Sequence, residues 1–217
     1  MDASDRGLCA LWPARKEYLQ LEFDADELQQ IADFNGLTSD EFSINIRELM
    51  SAVFAAIVWA SQWSQSGQVE QAHTRFWIDN TSAVAWANRR SSRNLFAQML
   101  LRLIGFLEVR YNFYSSAAHI PGAENVMADV GSRVWQSEEM ARSFADMSFA
   151  WSQEWGIRAR QFAASSVRCV GFTRTPPVTT QVPTQGTRFC CVVSEDLQIR
   201  SSSSSQSPPR FSEKFFF

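Results

Sequence analysis

The 217-residue sequence has no run of apolar residues long enough to cross a bilayer. Its longest apolar stretch, "LMSAVFAAIVWA", covers twelve residues, and a spanning helix needs roughly 18 or more. A buried core helix is expected there, and no membrane partner. Histidine is nearly absent, with two in the chain, and the four cysteines, Cys9, Cys169, Cys190 and Cys191, form no CxxC pair. That argues against a zinc site. No signal-like segment opens the sequence, so reduced thiols and an intracellular setting, cytoplasmic or nuclear, are expected. A basic excess is missing too: the net charge is -3. Nucleic-acid binding by bulk charge alone is therefore not supported. Charge is uneven, however. Residues 160–217 carry seven Lys/Arg against three Asp/Glu, and the rest of the chain thirteen against twenty.

Apolar residues make up 45% of the chain, with eight Trp and seventeen Phe, enough for a real core. "GLCALW" and "EYLQLEF" read as a hairpin. "DADELQQIADFNGLTSDE" reads as an acidic connection with one helical turn. "FSINIRELMSAVFAAIVWASQW" has apolar residues at helical spacing and is the strongest helix. "HTRFWID" reads as a strand, "TSAVAWANR" as a short helix, and "NLFAQMLLRLIGFLEVR" as a long amphipathic one. "YNFYSSAAHI" reads as a strand before a Pro121-Gly122 turn, and "AENVMADVGSRVW" as a further helix. This order predicts an α/β mixed sheet with flanking helices over residues 1–135. "SEEMARSFADMSFAWSQEWG" predicts an extra helix within 136–160. From 161 to 217 Pro, Thr and Ser dominate, which predicts a low-complexity, disordered tail. No internal repeat is visible.

Four acids stand at unusual places: Asp2 before the hairpin, Glu48 in "RELMSA", Asp79 at the end of "RFWID", and Asp129 in "NVMADVGSR". Each is flanked by apolar residues, where an uncompensated carboxylate is costly. Each also has a plain reading alone. Asp79 or Thr81 can cap the next helix, Glu48 can sit favourably in a first helical turn, Asp129 can pair with Arg133, and Asp2 can be a frayed terminus. Brought together, four acids would repel one another unless a divalent cation lay between them. Hard oxygen ligands suit Mg²⁺ or Mn²⁺, and two such ions support hydrolysis of a phosphodiester. "NRRSSRN" forms the only compact basic cluster of the first 135 residues. Arg89, Arg90 and Arg93 there are candidates for phosphate contact, since guanidinium forks match phosphate oxygens. Trp59, Trp63, Trp77 and Trp86 can stack on bases or fill the core.

"DAS", "RELMSAVFAA", "WIDNTSAVAW" and "HIPGAENVMADVGSR", in that order, resemble the ribonuclease H domain of retroelement reverse transcriptases. The likeness is to the version that follows the polymerase in tyrosine-recombinase retrotransposons, and it covers about residues 1–135. The resemblance implies a ribonuclease-H-like five-stranded mixed sheet with flanking helices. It implies an Asp-Glu-Asp-Asp set, Asp2, Glu48, Asp79 and Asp129, binding two Mg²⁺ ions and cutting the RNA strand of an RNA–DNA hybrid. His119 would assist proton transfer or product release. Asn80 would contact the hybrid, and Asn125 would orient the final loop near it. The family's first strand runs several residues before its Asp, whereas one residue precedes Asp2 here. This predicts a fragment of a longer polyprotein containing a reverse transcriptase, or a decayed copy with Asp2 on a loose end and impaired catalysis. A catalytically inactive hybrid-binding or connection module is the alternative expectation.

Overall fold

The computed structural model describes residues 1–37, 42–63 and 71–155. The expected tail, the end of the expected 136–160 helix, and Cys169, Cys190 and Cys191 lie outside them.

The chain forms a mixed α/β fold. Strands β1 (Asp2–Ala3), β2 (Gly7–Trp12) and β3 (Glu17–Glu22) make an antiparallel meander. Leu19 and Leu21 of β3 face inward, alternating with half-buried Tyr18 and Gln20, the period-two pattern of a strand covered on one side. The hairpin turn closes through Arg15 N–H to Trp12 O and Lys16 N–H to Pro13 O, both 3.1 Å. Helix α1 (Ala25–Asn35) follows. It replaces the single turn expected from sequence because Asp24 and Glu27 build a reciprocal capping box that satisfies two end donors.

Helix α2 (Ile44–Trp63) is the core helix, with Ala52, Ala55, Ala56 and Ala60 almost fully buried. Over its 20 residues it is long and apolar enough to cross a membrane. Yet 72% of its most apolar window is buried within the fold, as for a soluble-protein core helix. Strand β4 (Ala72–Ile78) leads to α3 (Thr81–Arg89), then α4 (Leu95–Tyr111) and β5 (Phe113–His119). β4 and β5 pair in parallel with Ile78 opposite His119. Trp63 packs edge-on to Phe113 at 5.0 Å and lies 5.9 Å from Phe76, locking α2 onto this pair. Burying side chains of this size contributes roughly 2–3 kcal/mol each.

A 3-10 turn at Gly122–Glu124 precedes α5 (Val126–Ser132). The segment expected to be one further helix is two elements, α6 (Glu138–Met147) and β6 (Ser152–Trp155). Trp151 N–H bonds to Ser148 O, and Ser152 N–H to Lys16 O, both at 2.8 Å. The chain thereby turns onto the free edge of β3 and pairs with it in parallel. The strands form a four-stranded mixed sheet, β1-β2-β3-β6, and a two-stranded parallel sheet, β4-β5. Just before the two-residue β1, the Met1 amine reaches β4, donating to Trp77 O at 3.0 Å.

Candidate metal centre

Asp2, Glu48 and Asp79 converge. One carboxylate oxygen from each lies within 4.8 Å of the others. Asp2 is not on a loose end: β1 pairs it with Cys9, and it is 3% exposed. The expectation of a frayed Asp2 fails because the start of the chain is pinned from two sides. Met1 N–H bonds to Trp77 O, and Asn125 Nδ2–H bonds to Met1 O at 2.8 Å. Glu48 lies in the second turn of α2, not the first, and is also 3% exposed. Its Oε1 accepts from Ala3 N–H at 3.1 Å. The neighbouring Arg47, fully buried, donates to Ser4 O at 2.7 Å and to Asp5 Oδ1 at 2.6 Å. Two consecutive residues of α2 thus grip the exit of β1.

Asp79 directly follows β4. Neither it nor Thr81 caps α3. Asn80 does, its Oδ1 accepting from Ala83 N–H at 2.9 Å. That leaves the Asp79 carboxylate uncommitted to the helix. Across the parallel pair, Ile120 N–H donates to Ile78 O and brings the Pro121-Gly122 turn over Asp79. A side chain added at Gly122 would begin 3.5 Å from Asp79 Oδ2.

Three carboxylates face one another here, with the buried Met1 amine as a positive group near them. Burial, with added repulsion from Asp2 and Asp79, raises Glu48 to about 9 against the Ala3 N–H bond and the attraction of the Met1 amine. Burial also raises Asp2 to about 6, opposed by a Ser132 hydrogen bond and the Met1 amine and reinforced by Asp79 and Asp129. No basic side chain pairs with Asp2, Glu48 or Asp79 among the described residues. Glu48 Oε2 is buried with no partner at all. An orphaned carboxylate oxygen costs about 1–3 kcal/mol or more, and like charges this close disfavour joint ionisation. A divalent cation removes both penalties, and three clustered carboxylates are the oxygen donors that Mg²⁺ or Mn²⁺ takes. The residues present fit such an ion.

Asp129 stands beside this triad and outside it. It sits in the first turn of α5, and its Oδ1 is 2.6 Å from Arg133, the i,i+4 pairing read from the sequence. It is near enough to reinforce the rise at Asp2. His119 is exposed at the end of β5, level with the end of β4, and lines a cavity of about 580 Å³ with Trp77, Ile120 and Trp151.

The expected nucleic-acid contacts divide. Arg89 and Arg93 are exposed and share a cavity of about 650 Å³ with Trp86, Ser43 and Asn94. Arg90 turns inward instead, donating to Ala87 O, to Glu108, and to both Ser115 O and Oγ. It adopts the left-handed conformation that ends α3, with φ 53°, which swings its side chain under the helix. Asn80 is committed to its cap and donates to Asn45 Oδ1 at 2.8 Å. Asn125 is 6% exposed, and both ends of its amide serve Met1, so it holds the chain rather than facing solvent. Trp59 and Trp63 are core residues, whereas Trp77 and Trp86 are half-buried. Sequence reasoning missed Arg47 and Ser132. The "SR" that closes "MADVGSR" was the visible signal for the second.

Comparison of the chain with family models, curated proteins and solved structures returned no significant match.

Proposed function

We propose that this chain is a ribonuclease-H-like endonuclease of retroelement origin that hydrolyses the RNA strand of RNA–DNA hybrids with divalent metal ions. The observation that carries the reading is the convergence of the Asp2, Glu48 and Asp79 carboxylates in a largely buried pocket, with no basic side chain paired to them among the described residues. The motif order supports it, because these acids occupy the positions that the resemblance assigns. The strand arrangement is compatible with the family's five-stranded sheet. β3, β2 and β1 would be one half, β4 and β5 the other, with the Met1–Trp77 bond at the seam and β6 added at the outer edge.

Asp2, Glu48 and Asp79 would hold Mg²⁺ or Mn²⁺, and Asp129 would complete the set for a second ion once released from Arg133. Bound ions supply an activated water and stabilise the departing oxygen of the phosphodiester. The chain's own residues do the rest. Burial around Glu48 excludes competing water, and the β1–α2 grip fixes the carboxylates before substrate arrives, the preorganisation that such chemistry requires. His119, exposed beside Asp79, is placed to relay a proton or release product. Arg89 and Arg93 would take backbone phosphates, and recognition would rest on helix shape and 2′-hydroxyls rather than base identity.

A second reading, an inactive hybrid-binding or connection module, is favoured by the Asp129–Arg133 pair, which occupies the fourth acid. Cleavage of labelled hybrid, duplex RNA and duplex DNA, each titrated with Mg²⁺, separates the two. Mg²⁺-dependent cutting of the hybrid's RNA strand alone is expected. Hybrid binding without cutting at any Mg²⁺ or Mn²⁺ concentration would establish the inactive module.

A further inference from the structure

Ser132 is fully buried on α5, three residues after Asp129. Its hydroxyl lies 2.5 Å from Asp2 Oδ2 and 3.0 Å from Asp129 O. A hydroxyl carries one proton, and the shorter contact, to the acidic acceptor, is the one it serves. The backbone that carries it is tied by two separate bonds, so neither is required alone: Ser132 O accepts from Ser4 Oγ at 2.7 Å, and Gly131 O accepts from Gln20 Nε2 at 2.8 Å. At Gly131 an added Cβ would fall 2.5 Å from Cys9 Sγ. Only glycine lets α5 come this close to β2. Asp2, by contrast, stands on a two-residue strand, and the terminal torsion of an aspartate is broad and roughly two-fold.

We propose that Ser132 is a positioning residue of the cation site: its hydroxyl holds Asp2 Oδ2, so that Oδ1 is presented to an ion shared with Glu48 and Asp79. This inference rests on reading the three acids as a divalent-cation site. Without the hydroxyl the Asp2 carboxylate would rotate, and ion binding would have to order it. Partners of metal ligands in this role typically contribute 10–100-fold in affinity. Ser4 is the natural control. It ties the same two elements through Ser132 O and turns back on Gly7, but it touches no carboxylate.

The test is Mn²⁺ affinity of the full chain, read from the electron paramagnetic resonance signal of free Mn²⁺, with thermal melting in parallel. Wild type, Ser132→Ala, Ser132→Cys (near the same size, a poor donor), Ser132→Thr and Ser4→Ala are compared. Ser132→Ala and Ser132→Cys are expected to bind Mn²⁺ about tenfold more weakly. Ser132→Thr should recover most of the affinity, and Ser4→Ala should stay within about twofold of wild type whatever its melting temperature. The proposal is overturned if Ser132→Cys binds like wild type, or if Ser4→Ala loses as much affinity as Ser132→Ala. Failure of both the Ala and Cys variants to fold would likewise assign Ser132 a purely structural role. A wild-type chain that binds no Mn²⁺ would remove the cation site itself, a result distinct from equal binding by wild type and variants.

Discussion

Glu108 and Glu48 both project from helices toward β-strands, and the fold treats them in opposite ways. Glu108 Oε1 accepts from Ser115 N–H at 2.8 Å, from Ser115 Oγ at 2.7 Å and from the Arg90 guanidinium. Every unit of charge there has an answering one. Glu48 receives one backbone N–H, keeps one oxygen without a partner, and faces two more acids. The same chain that pairs Glu108 with Arg90, and Arg47 with Asp5, gives the triad no basic side chain among the described residues. A general tolerance for buried carboxylate does not explain that contrast. A site able to take a divalent ion as its counter-charge does.

The sharpest way to break the comparison is at Asp79. Asp79→Asn keeps size and removes one ionic ligand, so Mg²⁺-dependent hybrid cleavage should fall about a thousandfold or more, the scale of several kcal/mol of charge stabilisation. Its melting temperature without metal should hold or rise. Cleavage within tenfold of wild type would remove Asp79 from the site. At the other cluster the effect should be on stability. Glu108→Ala leaves Arg90 and Ser115 unanswered and should cost about 2–3 kcal/mol in urea unfolding, with Mn²⁺ affinity unchanged.

A smaller effect follows from pH. Glu48 is raised from 4.5 to about 9 and Asp2 from 3.8 to about 6. Between those values the folded, metal-free protein holds more protons than the unfolded chain. The contribution of these groups is therefore full below about pH 4 and is lost as pH rises through 6 and toward 9. Glu48→Gln should raise the melting temperature in chelator at pH 8 by at least about 3 °C, the shift produced by about 1 kcal/mol in a domain of this size. The gain should vanish near pH 4. A lower melting temperature at pH 8 would show that Glu48 is ionised and paired. The smallest effects belong to the basic loop. Arg89→Ala and Arg93→Ala should each weaken hybrid binding about threefold and reduce the salt slope by about one. Arg90→Ala should instead lower the melting temperature and leave the salt slope alone.

Much of this arrangement was legible in the residues. The period-two pattern of "EYLQLEF", the apolar "RFWI" run and the helical spacing within "RELMSAVFAAIVWA" locate β3, β4 and α2, and with them two of the three converging acids. Local chemistry that crossed those patterns was read less well. An acidic composition hid α1, although Asp24 and Glu27 were spaced as a capping box. The segment of β6 reads as helix because Met147 and Trp151 continue the three-to-four spacing of Met140 and Phe144. Only the free edge of β3 makes "SQEW" a strand. The inward turn of Arg90 was not legible at all, because it depends on Glu108 and Ser115, 18 and 25 residues away. Position near the terminus alone makes Asp2 look frayed. What secures it comes from the far end of the domain: Ser132 bonds its carboxylate, and Asn125 holds the neighbouring Met1.

The central claim, that Asp2, Glu48 and Asp79 hold a divalent ion, is tested most directly by anomalous diffraction from crystals equilibrated with Mn²⁺. The account predicts a strong manganese peak within bonding distance of oxygens from all three residues. An empty triad at saturating Mn²⁺, or manganese bound only elsewhere on the chain, would contradict it.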